Sequence, residues 1–121
     1  MSHPFFFLGF ALLLVHEMDA ARLGEWRIFP LLRSLREEAG YVAFAALHVP
    51  IYALLLARLF GGGGAGSALI VGMDAFFVVH VALHVVFRKH PENRFGSAFS
   101  WSLIAGSGAC GLVDLVLSAG I

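Results

Sequence analysis

The segment FFFLGFALLLVHEMDA, residues 5–20, decides the fold class, because a long apolar run ends in one imidazole and two carboxylates. An apolar run of this kind is typical of a helix embedded in a membrane. Ionisable groups inside lipid are costly unless they have partners. The function therefore depends on whether the other segments supply partners for His16, Glu17 and Asp19.

The composition of the whole chain indicates an integral membrane protein. Of its 121 residues, 60% are hydrophobic and 13% are charged, and the mean hydropathy is +0.86. Soluble domains carry about 25% charged residues. The formal net charge is zero and there is no basic stripe, which argues against nucleic acid as a partner. The single cysteine, Cys110, excludes a disulfide framework or a cysteine-rich metal site within one chain.

Four apolar segments are long enough to cross a bilayer. They predict an all-α fold, an integral membrane four-helix bundle. We expect the bundle to form one domain over residues 1–121. The predicted helices cover about residues 4–21, 39–60, 68–87 and 95–119. Between the first two, Pro30 suits the first turn of a short helix that carries Leu31, Leu32 and Leu35 on one face. The pattern predicts an interfacial amphipathic helix, with a solvated loop held by a few buried anchors as the alternative.

The distribution of Lys and Arg predicts the orientation of the chain in the membrane. Seven of the eight basic residues lie in the first and third connections, and Arg58 alone lies at the second. The seven are Arg22, Arg27, Arg33, Arg36, Arg88, Lys89 and Arg94. The positive-inside rule places the first and third connections in the cytoplasm. We therefore expect a multi-pass protein of the bacterial inner (cytoplasmic) membrane with both termini on the non-cytoplasmic side.

Counting inward from the cytoplasmic helix ends places several polar side chains at similar depths. At about 1.5 Å per residue, His16 lies about 9 Å deep and Asp19 about half as deep. His48, His80 and His84 lie about 13, 12 and 6 Å deep, respectively. His80 and His84, four residues apart, share one face of a helix, and so do His16 and Asp19, three residues apart. Four histidines and a carboxylate from three helices therefore fall in the cytoplasmic half of the membrane.

This convergence predicts a metal site whose ligands are His16, Asp19, His48, His80 and His84. A His-x-x-x-His pair on a helix binds a metal through two nitrogens. Neutral imidazoles with a carboxylate suit zinc or iron, whereas calcium and magnesium require more oxygen ligands. The alternative is that these histidines bind no metal and are buried, hydrogen-bonded side chains of the helix packing.

Glu17 is expected to play a different role from its neighbour His16. Successive residues of a helix are rotated by about 100°, so the Glu17 side chain points about 100° away from that of His16. We therefore assign Glu17 a catalytic or proton-handling role beside the metal.

The first motif and its sequel resemble the HXXEE-domain family of small bacterial membrane proteins, whose signature is a His, two spacers and two acids that end the first hydrophobic segment. The matching segment is HEMDA, residues 16–20, with Ala20 in place of the second acid. Residues 25–27, EWR, are similar to the acid–Trp element of such proteins, and residues 84–91 to their third-segment His ahead of a basic turn with proline. The resemblance implies a metal site and a membrane enzyme, and the missing acid argues against two metal ions.

Four functions are compatible with these features. The first is a metal-dependent membrane enzyme that activates water or oxygen beside a lipid-like substrate, which would reach the site between helices. The second is a b-type haem protein with axial ligands such as His48 and His84. The third is a non-enzymatic accessory or scaffold subunit of a homo-oligomer or larger membrane complex. The fourth is a dimeric transporter with Asp74 in an ion relay. Membrane lipid is a partner in each case.

Overall fold

The computed structural model describes residues 2–61 and 65–120 and is helical throughout its regular structure. The elements in chain order are α1 (Pro4–Leu23), a 3₁₀ helix (Glu25–Ile28), α2 (Glu37–Phe60), α3 (Ala65–Val86) and α4 (Ala98–Ser118). The four α-helices are each long and apolar enough to cross a membrane. The predicted all-α membrane bundle is confirmed, and the chain is a multi-pass membrane protein.

The two ends of α1 follow from single residues. Pro4 occupies the first turn of α1, where backbone N–H groups have no partner within the helix. The N–H that proline lacks is therefore not needed at this position. Gly24 ends the helix in the left-handed conformation, with φ 67°, and its N–H donates to the carbonyls of Ala20 and Ala21. Glycine adopts this conformation without steric cost. The chain therefore turns sharply and begins the 3₁₀ helix at Glu25.

The connection between α1 and α2 differs in detail from the amphipathic helix predicted from Pro30. The helical element lies earlier, at Glu25–Ile28, and residues 29–35 form successive turns. Trp26 is 4% exposed, whereas Leu31 is 87% exposed. Of the leucines that follow the proline, Leu32 packs against the core cluster around Trp26, whereas Leu31 and Leu35 are exposed. The segment is a loop with buried anchors.

Helices α1 and α3 pack along α4 and form the core of the bundle. Small residues of α4 allow the approach, because a Cβ atom at Gly111 would lie 2.7 Å from the carbonyl oxygen of Asp74. A Cβ atom at Gly108 would overlap the Val81 side chain. These contacts fix the height of α3 relative to α4.

Helix α2 lies at the side of this three-helix core. It contacts α3 and the 3₁₀ helix, and touches α1 at few residues. Most of its surface is exposed, including the apolar side chains of Val49 and Leu54. In a membrane this surface contacts lipid, and a gap is left between α1 and α2.

Candidate metal centre

Three histidines and one glutamate converge where α1, α3 and the 3₁₀ helix meet. One ring nitrogen each of His16, His80 and His84 and one carboxylate oxygen of Glu25 lie within 4.8 Å of one another. The Nε2 atom of His84 lies 3.1 Å from Nε2 of His80 and 3.8 Å from Oε1 of Glu25. A group of this composition can hold a metal ion.

The three imidazole rings approach one another edge to face. His80 and His84 share a face of α3, and their ring centroids are 4.5 Å apart at an interplanar angle of 82°. The ring of His16 lies 4.7 Å from that of His80 and 4.9 Å from that of His84, at 71° and 87°. The rings therefore approach one another from different directions, as imidazoles around one ion do.

The spacing of the His80–His84 pair fits a tetrahedral ion, whereas the Glu25 carboxylate lies farther out, 3.8 Å from Nε2 of His84. With zinc–nitrogen bonds of about 2.0 Å and tetrahedral angles, two ligand nitrogens are about 3.3 Å apart. The observed distance between Nε2 of His80 and Nε2 of His84 is 3.1 Å. Three imidazoles and a carboxylate also supply the four ligands that such an ion requires.

The burial of His16 points to a ligand in the same place. His16 is fully buried, and neither of its ring nitrogens has a hydrogen-bond partner among the described residues. The Nδ1 atom of His80 also lacks one. A buried polar atom without a partner costs about 1–3 kcal/mol. A cation between the rings would give a partner to one nitrogen of each ligand histidine.

Glu25, outside the membrane-spanning helices, is the one acidic member of the group. Burial raises the pKa of the Glu25 carboxyl to about 8, and the neighbouring Glu17 charge contributes in the same direction. Such a carboxyl is mostly protonated at neutral pH in the absence of a nearby cation. Binding of a metal to Glu25 would therefore release a proton.

Contacts of the 3₁₀ helix with α2 hold Glu25 in place. Trp26 is buried, and Gly40 of α2 leaves the space that the indole ring occupies. Arg27 lies over the same indole, 4.9 Å from its centroid, and forms an ion pair with Glu37. Because these contacts fasten the neighbours of Glu25 to α2, its carboxylate is held close to the histidines.

Aromatic side chains cover the histidines. Phe95, 2% exposed, lies in the connection between α3 and α4, with its ring centroid 5.3 Å from that of His16 and 4.9 Å from that of His84. The ring of Phe76 lies 5.4 Å from that of His80. Exclusion of water by these rings strengthens electrostatic interactions inside the group.

His48, predicted as a ligand, lies outside the group of four and pairs with Glu17. Its Nε2 atom lies 2.7 Å from Oε2 of Glu17, and its Nδ1 atom lies 2.6 Å from the carbonyl oxygen of Phe44. A carbonyl only accepts, so Nδ1 donates to Phe44, and Nε2 faces the carboxyl group of Glu17. The other oxygen of Glu17 lies 4.0 Å from Nε2 of His16. Glu17 therefore stands between His48 and the histidine group.

Asp19, also predicted as a ligand, has a different partner. Its Oδ2 atom accepts a 2.6 Å hydrogen bond from the hydroxyl of Ser100 on α4, and its Oδ1 atom lies 3.7 Å from a guanidinium nitrogen of Arg22. This arrangement joins α1 to α4. The roles of Asp19 and His48 as ligands stay predictions.

A mainly apolar groove of about 340 Å³ lies between α1 and α2. It is lined by Leu14, Glu17, Met18, Ala21, Phe44, Ala45, His48 and Tyr52. The side chain of Met18 on its rim is largely exposed. Because α1 and α2 touch at few residues, the groove opens sideways towards lipid, and the Glu17–His48 pair supplies its ionisable groups.

Glu25 and Phe95 were not predicted as site residues. The sequence holds one signal for Glu25, the glycine at residue 24, which marks a helix end and a sharp turn back. The acid–Trp element at residues 25–27 was recognised without a role. Phe95 carries no signal, because an isolated aromatic residue at the end of a loop has many possible partners.

Comparison with known proteins places the chain in one family. No curated protein and no solved structure matches it. The family model described as "Family of unknown function (DUF6713)" matches residues 2–120, nearly the whole chain. The chain therefore belongs to this family of unknown function, DUF6713.

Proposed function

We propose that this chain is a membrane metalloprotein whose ion is held by His16, Glu25, His80 and His84. The main support is the convergence of four potential ligand atoms, which lie within 4.8 Å of one another. One of the four residues, His16, is fully buried, and its ring nitrogens have no hydrogen-bond partner among the described residues. Zinc and iron are the metals that this set of ligands favours.

The same site supports a metal-dependent enzyme that acts on a lipid-like substrate. When bound, such an ion supplies Lewis-acid activation of water or of a substrate oxygen. Glu17 accepts a proton beside it, since its carboxylate lies between His16 and His48. The groove between α1 and α2 takes the apolar chain of the substrate, because it opens towards lipid and reaches Glu17.

The ring packing favours a single ion over the alternative of a b-type haem. The Nε2 atom of His84, one of the two proposed axial ligands, lies 3.1 Å from Nε2 of His80, so it does not face a macrocycle. His48, the other proposed axial ligand, is held by Glu17 and by the backbone of Phe44.

The distribution of Lys and Arg supports a bacterial inner-membrane location with both termini on the non-cytoplasmic side. The metal centre then lies in the cytoplasmic half of the membrane. We also propose that the family is related to the HXXEE-domain proteins, which is supported by the motif at residues 16–20 and by the acid–Trp element at residues 25–27.

A comparison of two carboxylate variants tests the metal centre. Glu25→Gln removes the proposed anionic ligand, and we expect it to weaken zinc binding by about 10- to 100-fold or more. Asp19→Asn is the matched control, because an amide oxygen still accepts from Ser100. Zinc affinity is measured in detergent by competition with a chromophoric chelator. Equal affinity for wild type and Glu25→Gln would contradict the proposed ligand set, and weaker binding by Asp19→Asn alone would make Asp19 the ligand.

A further inference from the structure

A second polar group lies at the opposite end of the bundle from the metal centre. It consists of His3, immediately before α1, Asp74 of α3 and Asp114 of α4. Asp74 is fully buried and Asp114 is 2% exposed. Along α3, Phe77 lies between Asp74 and His80, and it belongs to an apolar cluster with Phe6, Leu13 and Met73. The two polar groups are therefore separate sites.

The two carboxyl groups have different partners. Asp114 accepts a 2.8 Å hydrogen bond from Nδ1 of His3 and a 3.3 Å hydrogen bond from the backbone N–H of Phe6. Neither oxygen of Asp74 has a hydrogen-bond donor among the described residues. The backbone of Asp74 packs against Gly111 of α4, and Asp114 lies three residues later on the same face of that helix, so the two carboxyl groups are neighbours across the α3–α4 contact.

Two neighbouring carboxylates that are both buried away from water do not both ionise, because their like charges repel strongly. One of them holds a proton, and Asp74 is the one whose oxygens have no N–H donor among the described residues. An O–H group on Asp74 then donates to Asp114, which gives the buried side chain its missing bond. We propose that Asp74 and Asp114 form a binding site for one proton, carried by Asp74 and exchanged with water through His3.

The surroundings of the pair agree with this assignment. The titratable side chains of the neighbouring elements here are Asp114 of α4 and His3, which precedes α1 and bonds to Asp114. The α2 side chains packed against the adjoining apolar cluster are those of Leu55 and Leu59. His3 is partly exposed, with a side-chain exposure of 17%, so it contacts both the buried carboxyl group and the aqueous phase. The inference is independent of the metal centre, and the ligand of this second site is a proton.

Infrared spectroscopy of the full chain in lipid tests the proposal. The sequence has three aspartates, Asp19, Asp74 and Asp114, so aspartate labelled with ¹³C at the side-chain carboxyl shifts their bands away from those of glutamate. We expect the wild type at neutral pH to show the carbonyl band of one protonated aspartic acid. The band should disappear in Asp74→Asn and persist in the control Asp19→Asn.

The stability of the same variant is a second readout. An asparagine amide donates to Asp114 as a protonated Asp74 does, so Asp74→Asn should fold. Because the folded wild type holds a proton that the unfolded chain releases, its unfolding temperature should fall as the pH rises towards neutrality, and Asp74→Asn should reduce this dependence. A wild type without the band, a band that persists in Asp74→Asn, or an Asp74→Asn chain that does not fold would each overturn the proposal.

Discussion

Replacement of His84 by alanine is expected to lower the affinity for zinc by at least about 100-fold. Loss of a residue that only supports a metal ligand lowers affinity by about 10- to 100-fold, and loss of a ligand itself should cost at least as much. The Nε2 atom of His84 contacts Nε2 of His80 and lies 3.8 Å from Oε1 of Glu25, so it links the α3 pair to the 3₁₀ helix. Alanine preserves the helix while it removes the imidazole. Elemental analysis of detergent-purified protein measures the metal retained per chain.

His90→Ala is the matched control for this change. His90 lies in the connection between α3 and α4, and its Nδ1 atom accepts a local hydrogen bond from the N–H of Glu92. We expect His90→Ala to keep the metal content of the wild type. If His84→Ala also kept it, the histidines would be a packing network, as expected for an accessory or scaffold subunit.

Replacement of His16 by leucine should change stability in opposite directions with and without metal. In a chelator, the variant should be more stable than the wild type, because unpartnered buried nitrogens cost about 1–3 kcal/mol each and leucine has none. With zinc at about 1,000 times its Kd, the wild type should gain about 4 kcal/mol that the variant cannot gain. Thermal unfolding in detergent, with chelator and then with zinc, measures both differences.

His48→Gln is the control for this reversal. His48 bonds to Glu17 and to the backbone of Phe44, outside the group of four, so its variant should keep the stabilisation by zinc. A His16→Leu protein that zinc stabilises as much as the wild type would contradict a role for His16 in metal binding. Loss of the zinc response in His48→Gln would instead place His48 among the ligands, as its depth predicts.

The four helices were predictable because membrane spans depend on length and apolar composition, which the sequence shows directly. The observed helix ends differ from the predicted ones where local contacts determine them. Helix α4 begins at Ala98 rather than near residue 95, because the Ser97 side chain accepts from the N–H of Ser100 and caps the helix. Phe95 is thereby left in the loop, where it covers His16 and His84.

The candidate site was only partly predictable. Depth and helical face brought His16, His80 and His84 together, because residues four apart on one helix share a side. Depth gives a level in the membrane and not the distance between helices, so it could not show that His48, on the outlying α2, pairs with Glu17 outside the group of four. Glu25 was missed because its position depends on a tertiary contact, the packing of Trp26 against α2, which no periodicity in the sequence encodes.

The most direct test of the metal centre is X-ray absorption spectroscopy of the wild-type protein, purified without added metal, at the zinc and iron edges. We predict one bound ion per chain with four nitrogen and oxygen ligands at about 2.0–2.2 Å, and with the outer-shell scattering of imidazole rings. A protein that binds no metal at either edge, or an ion with a shell of sulfur or of oxygen alone, would contradict the assignment of His16, Glu25, His80 and His84.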